Sequence, residues 1–146
     1  VSIDQDILTT GEIPMLTDFE TIDSTLCVKT EGGWQPDQLL DDQGIVIKGP
    51  QGLTVIPGCA HRGLINTLHQ AKKVSGMDKI YLVVGGAHLI NAGDEQIWQT
   101  ISALNEMGVQ KLATCHCTGT RANNLLSQTM GNNFILNSAG TIINLS

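Results

Sequence analysis

Aromatic residues are nearly absent: Phe, Trp and Tyr make up 3% of the 146 residues, so a core must be built from Leu, Ile, Val and Ala. Clustered positive charge is missing too. The net charge is −6 and Lys72-Lys73 is the only adjacent basic pair, which argues against nucleic acid as a partner. No apolar run approaches the roughly 20 residues needed to cross a bilayer. The opening VSIDQDILTT lacks a basic region followed by an apolar block, so it does not read as a secretory signal. A cytoplasmic protein with no membrane partner is the expectation.

Several catalytic signatures are also lacking. There is no G-x-S-x-G for a serine hydrolase, no G-x-G-x-x-G for a dinucleotide and no phosphate-binding P-loop. Internal repeats and low-complexity tracts do not occur. The 146 residues read as one domain, long enough to bury a sizeable core.

What is present is a change of period along the chain. ILTTGEIP (7–14) is a short apolar stretch closed by Gly11 and Pro14, and TLCVKT (25–30) alternates as a half-buried strand does. EGGWQPDQLLDDQG (31–44) reads as a loop with a short turn of helix. Ile45–Ile47 and Leu53–Ile56 are β-branched runs around Lys48-Gly49-Pro50-Gln51-Gly52, a hairpin with a loop of about five residues.

Beyond Pro57 the spacing becomes helical. Leu64, Ile65, Leu68 and Ala71 form one stripe, with Gly76 as its stop. KIYLVVGG (79–86) is a continuous apolar strand, Asp94 can cap a helix striped by Ile97, Ile101, Leu104 and Met107, and VQKLATC (109–115) is another strand. Gly119 to Met130 spaces Ala122, Leu125, Leu126 and Met130 as a third helix, and FILNSAGTIINLS closes with two short strands. Strands alternating with helices predict an α/β layer, and the hairpin makes its sheet mixed.

Three histidines fall just past predicted strands: His61 in GCAH, His88 in GGAH and His116 in CHC. Neutral imidazoles at several strand ends can converge on one metal. Taken singly, each is more often a loop or core histidine with a satisfied hydrogen bond; three at equivalent places favour a site. His69, inside the first helix, reads as a plain surface residue. Gly58, Gly85, Gly86 and Gly119 bracket the same strand ends, where backbone turns sharply or approaches a ligand. Cys59, Cys115 and Cys117 beside the histidines favour reduced thiols. A closed zinc site of Cys59, His61, Cys115 and Cys117 is an alternative, with C-x-H and C-H-C lacking the usual knuckle spacing.

GLTVIPGCAHRGLINTL, VVGGAHL and CHCTG, with TGEIP upstream and SAGTIINL closing, resemble one family over essentially the whole chain. It is the metallo-β-lactamase-fold metal-dependent hydrolases, in the branch of 7,8-dihydropterin-6-methyl-4-(β-D-ribofuranosyl)-aminobenzene-5′-phosphate synthase. The resemblance implies an αββα sandwich with metals at one edge. It implies His116, His61 and Cys59 as metal ligands, and His88 as a residue that contacts substrate. The family's H-x-H-x-D-H motif is absent from these residues, so the chain is expected to be the C-terminal half: one mixed sheet with helices on one face. Starting on Val1 agrees with a piece of a longer polypeptide.

The expectation is therefore part of a zinc, manganese or iron enzyme, dinuclear when complete. It would act on a phosphorylated or pterin-like small molecule through a metal-activated water, and this chain alone would be inactive. The missing half, or a partner chain, would supply the remaining ligands. The alternative is a non-catalytic module whose open sheet packs on a partner or on a copy of itself.

Overall fold

The computed structural model describes residues 1–145. Its centre is a six-stranded mixed sheet. The strands are β1 (Ser2–Asp4), β2 (Ile7–Thr9), β5 (Ile45–Gly49), β6 (Gly52–Ile56), β7 (Ile80–Gly85) and β8 (Lys111–Thr114), in that spatial order. The first four neighbours pair antiparallel; β6, β7 and β8 run parallel. Two crossovers impose this: α1 (Leu64–Ser75) connects β6 to β7, and α2 (Asp94–Glu106) connects β7 to β8. α3 (Gly119–Met130) follows β8.

All three helices lie in one layer. Leu64, Ile65, Leu68 and Ala71 of α1, Ile97, Ile101 and Leu104 of α2, and Ala122 and Leu126 of α3 share one core with Val46, Leu53, Val55, Val83 and Leu112 of the sheet. These are the stripes that the 3.6-residue spacing predicts. Each fully buried Leu or Ile contributes about 1.5–3 kcal/mol, so the layer is set by aliphatic packing. The opposite face is thinner: Tyr81, Leu82 and Ala113 are covered by Val84, Ile135 and Ile143. An irregularity between Ile80 and Leu82 lets Ile80 and Val83 both reach the helix side.

Several local expectations need correction. Within residues 25–30 a strand does form, β3 (Cys27–Thr30), but each of its residues is exposed and it pairs with β4 (Gly33–Pro36) in a separate hairpin. Its apolar alternation reflects pairing across that hairpin, not burial. The stretch 31–44 accordingly contains a strand and no helix. The β5–β6 turn is tighter than five residues, because Gly49 pairs with Gly52 and leaves only Pro50-Gln51 between them. Asp94 is the first residue of α2 with Gly93 as its cap, and the Asp94 carboxylate pairs with Arg121 instead. The closing segment forms no strands among the described residues; it makes one parallel bridge, Phe134 to Leu112, and its last residue, Ser146, lies outside them.

Candidate metal centre

Because β6, β7 and β8 are parallel, their C-terminal ends share one edge of the sheet, where ligands gather in open α/β sheets. The loops that leave them stay in register beyond the strands. Gly86 N–H donates to Gly58 O at 2.7 Å, and Cys115 N–H donates to Gly85 O at 3.0 Å. Residues 58–61, 86–88 and 115–117 are thereby laid side by side.

Each loop carries a non-glycine residue in the left-handed region: Ala60 (φ 55°), His88 (φ 46°) and His116 (φ 52°). Such backbone persists only when its surroundings enforce it, and it is found at functional sites. Gly86 shows how close the loops pass. A Cβ there would stand 2.5 Å from Cys117 Sγ and 2.9 Å from Gly58 O.

Two groups of side chains result. Cys59, His116 and Cys117 bring their ligand atoms within 4.8 Å of one another; His116 is exposed and both thiols are half-buried. Cys117 Sγ donates to Cys59 O at 3.4 Å. Burial pushes the Cys117 thiol up, and the neighbouring Cys59 adds to this. In the second group the rings of His61 and His88 face each other with centroids 4.1 Å apart. Both Nδ1 atoms are buried without a hydrogen-bond partner. Burial and the His61 charge hold His88 below the ordinary imidazole range, opposed by the charges of Asp23 and Asp42.

His116 and Cys59 thus meet, whereas His61, expected beside them, turns to His88. The four-ligand set with His61 and Cys115 does not assemble among the described residues. Cys117 stands where His61 was expected; the CHC spacing holds that signal, since the tight helical turn at His116–Thr118 sets residues 116 and 117 at one loop tip. His69 is exposed on α1. All four cysteines are free.

The site walls come from the part of the chain with the weakest sequence signal. Glu20 is buried against the start of α1, where its carboxylate accepts from Ile65 N–H (2.8 Å), Asn66 N–H (2.9 Å) and the Thr17 hydroxyl (3.1 Å). Burial raises Glu20 despite these bonds. Asn66 Oδ1 accepts from Leu16 and Thr17 N–H, and Gln70 Nε2 donates to Thr10 O, so residues 10–20 are strapped along α1. This gives the TGEIP stretch a structural role, as the link between β2 and that strap. On the other side Arg62 N–H donates to Asp42 Oδ2 at 2.8 Å, and its guanidinium donates to Gln38 O.

Two cavities open between these walls. One, of about 390 Å³, lies between Thr21–Thr25 and His88, Asn91 and Gln96. The other, about 370 Å³, is lined by Asp41, Asp42, Cys59 and His61. No Lys or Arg lines either one.

The donor chemistry suits a divalent metal. Two thiols and an imidazole are a donor set that zinc takes, and their atoms lie within 4.8 Å of one another. The unpartnered histidine nitrogens are further donors with no other use in the fold. Among the described residues no helix is long and apolar enough to cross a membrane.

No protein-family model matches the chain. It is 40% identical over 107 residues to 7,8-dihydropterin-6-methyl-4-(β-D-ribofuranosyl)-aminobenzene-5′-phosphate synthase of Methanocaldococcus jannaschii, covering 73% of this chain and 36% of that protein. It is 32% identical over 143 residues to an uncharacterized protein of the same organism, covering 98% of this chain and 51% of that protein. The matches thus span between about a third and a half of these curated relatives. A crystal structure described as a metal-dependent hydrolase of the beta-lactamase superfamily superposes with a TM-score of 0.89 and 31% identity, over 100% of this chain and 56% of that one. By sequence and by fold, the chain is a relative of the metallo-β-lactamase superfamily.

Proposed function

We propose that this chain forms one edge of the metal centre of a hydrolase or transferase that acts on a phosphorylated or pterin-like small molecule. The observation that carries the reading is the convergence of Cys59, His116 and Cys117 at the shared strand end. Three protein donors with His116 open to solvent leave room for a further ligand, as in catalytic zinc sites. The His61–His88 pair offers a second set of donors and supports a dinuclear centre. Thiolates favour zinc or iron over manganese. A bound ion would supply Lewis-acid stabilisation of developing charge and lower the pKa of water.

The chain's own residues would orient the substrate. Thr21, Ser24, Asn91 and Gln96 line the larger cavity with neutral hydrogen-bonding groups, Asp23 adds one carboxylate, and His88 forms part of its wall. With Asp23 in it and no Lys or Arg, that cavity suits a hydrogen-bonding part of a substrate other than its phosphate. Phosphate recognition then falls to the metal or to residues beyond this chain, on the rest of a relative-length polypeptide or on a partner chain in the same cytoplasmic compartment.

The test is to measure bound metal and phosphodiesterase activity for this chain alone, and together with a segment matching the remainder of its relatives. Stoichiometric metal and activity are expected only for the combination. Metal contents near zero in both samples would sink the reading.

A second reading is an association module, favoured by apolar groups left bare. Ile3, Ile45, Leu136, Ile142 and Leu145 are exposed, and Ile3, Ile45 and Ile56 border a cavity of about 380 Å³. The apolar group around that cavity is the kind of surface that marks a contact. Sedimentation over a concentration series tests it: a monomer throughout would leave self-association unsupported.

A further inference from the structure

We infer that Cys59 and Cys117 are an oxidative modification site, two thiols poised to close a disulfide across the donor set. Their ligand atoms lie within the same 4.8 Å group, although 58 residues separate them in sequence. The β7 loop runs between the loops that carry them, and at Gly86 it presents no side chain. Cys117 Sγ rests against Gly86, where a Cβ would collide with it and approach Cys59 Cα to 3.1 Å. The absence of a side chain at Gly86 therefore opens the path by which the sulfurs approach. The other cysteines are placed differently. Cys27 is exposed on the separate β3–β4 hairpin, and Cys115 is not a member of the cluster.

Access is unequal. Cys59 lines the 370 Å³ cavity, whereas Cys117 lines neither of the two cavities beside these loops. With hydrogen peroxide as oxidant, Cys59 Sγ attacks one peroxide oxygen; the O–O bond breaks, water leaves and a sulfenic acid remains. Cys117 Sγ then attacks that sulfur, the S–O bond breaks, and the second water departs as its thiol proton is lost. Two thiols give up two electrons, peroxide accepts them, and one S–S bond forms. Two of the three clustered donors are consumed, so oxidation and metal binding exclude each other. The disulfide itself does not depend on the metal reading; only the exclusion does.

The experiment uses the whole chain, freed of metal by a chelator and treated with hydrogen peroxide. Expected results are an intact mass lower by two hydrogens, free thiols falling from four to two, and a proteolytic peptide joining residues 59 and 117. A thiol reductant should restore all four. Cys115→Ser should form the same link, whereas Cys117→Ser should give a sulfenic acid at Cys59 that a dimedone probe traps. Prior loading with zinc, in the presence of the segment that completes the metal centre, should slow the reaction at least tenfold. Four thiols still titrating after peroxide, or a link made through Cys27 or Cys115, would overturn the assignment. If the disulfide forms at the same rate with zinc present, the modification site stands and the exclusion of metal fails.

Discussion

His61 and His88 hold their rings 4.1 Å apart and tilted by 48°, each with a buried Nδ1 that no protein group satisfies. A buried polar atom without a partner costs about 1–3 kcal/mol, and two in one ring pair double that cost unless something beside them supplies the missing interaction.

Zinc or cobalt titration of the chain, with its reconstituting segment, checks whether a metal is that something. His61→Ala and His88→Ala should each weaken binding of one ion by tenfold or more. Neither should abolish the thiolate-to-cobalt absorption band that Cys59 and Cys117 give. An unchanged isotherm for both variants would remove this pair from the ligands.

His116→Ala and Cys117→Ser address the other group. Each removes one of three donors that lie within 4.8 Å. The expected result is loss of the cobalt–thiolate band or a large fall in affinity for each, with the melting temperature of metal-free His116→Ala nearly unchanged, because His116 is exposed. A normal band in both would place the metal elsewhere.

Gly86→Ala adds one carbon where Cys117 Sγ, Gly58 O and Cys59 Cα all stand within 3.1 Å. Two of these contacts are backbone and cannot swing aside. Destabilisation of about 1–3 kcal/mol by denaturant titration is expected, together with weakened metal binding. A neutral effect on both would show that the three loops are looser than described.

Glu20→Ala should cost about 2–3 kcal/mol at pH 7, since it leaves the Ile65 and Asn66 amides at the start of α1 without an acceptor. The pH dependence has a definite sign. Burial raises the folded carboxyl above 4.5, so the native state binds more protons than the unfolded one across the interval from 4.5 up to its folded value. Stability from this group is present below that interval and is lost as pH rises through it. The gap between wild type and Glu20→Ala should therefore widen on acidification, and a gap that narrows would contradict the burial of this carboxyl.

The helical layer was legible because its signal is periodic: Leu64, Ile65, Leu68 and Ala71, or Ile97, Ile101 and Leu104, declare a buried stripe without any partner being known. The shared strand edge was legible for the same reason, since strand–helix–strand order makes β6, β7 and β8 parallel. What stayed hidden depends on long-range pairing. Nothing local marks Glu20 as the cap of a helix that begins 44 residues later, or tells that Arg62 seals a loop through Gln38 and Asp42. Cys117 was named among the thiols, yet its meeting with Cys59 and His116, rather than with His61, depends on the left-handed turn at His116.

That turn sets fold and donor against each other. A non-glycine residue in the left-handed region gives up about 1 kcal/mol that glycine would keep, and His88 and His116 both accept that penalty. Replacing His88 by Gly should leave a sturdier chain than replacing it by Ala, by about the same 1 kcal/mol, and both variants lack the imidazole. At each of these loop tips the residue that best serves the backbone is the one that cannot hold a ligand.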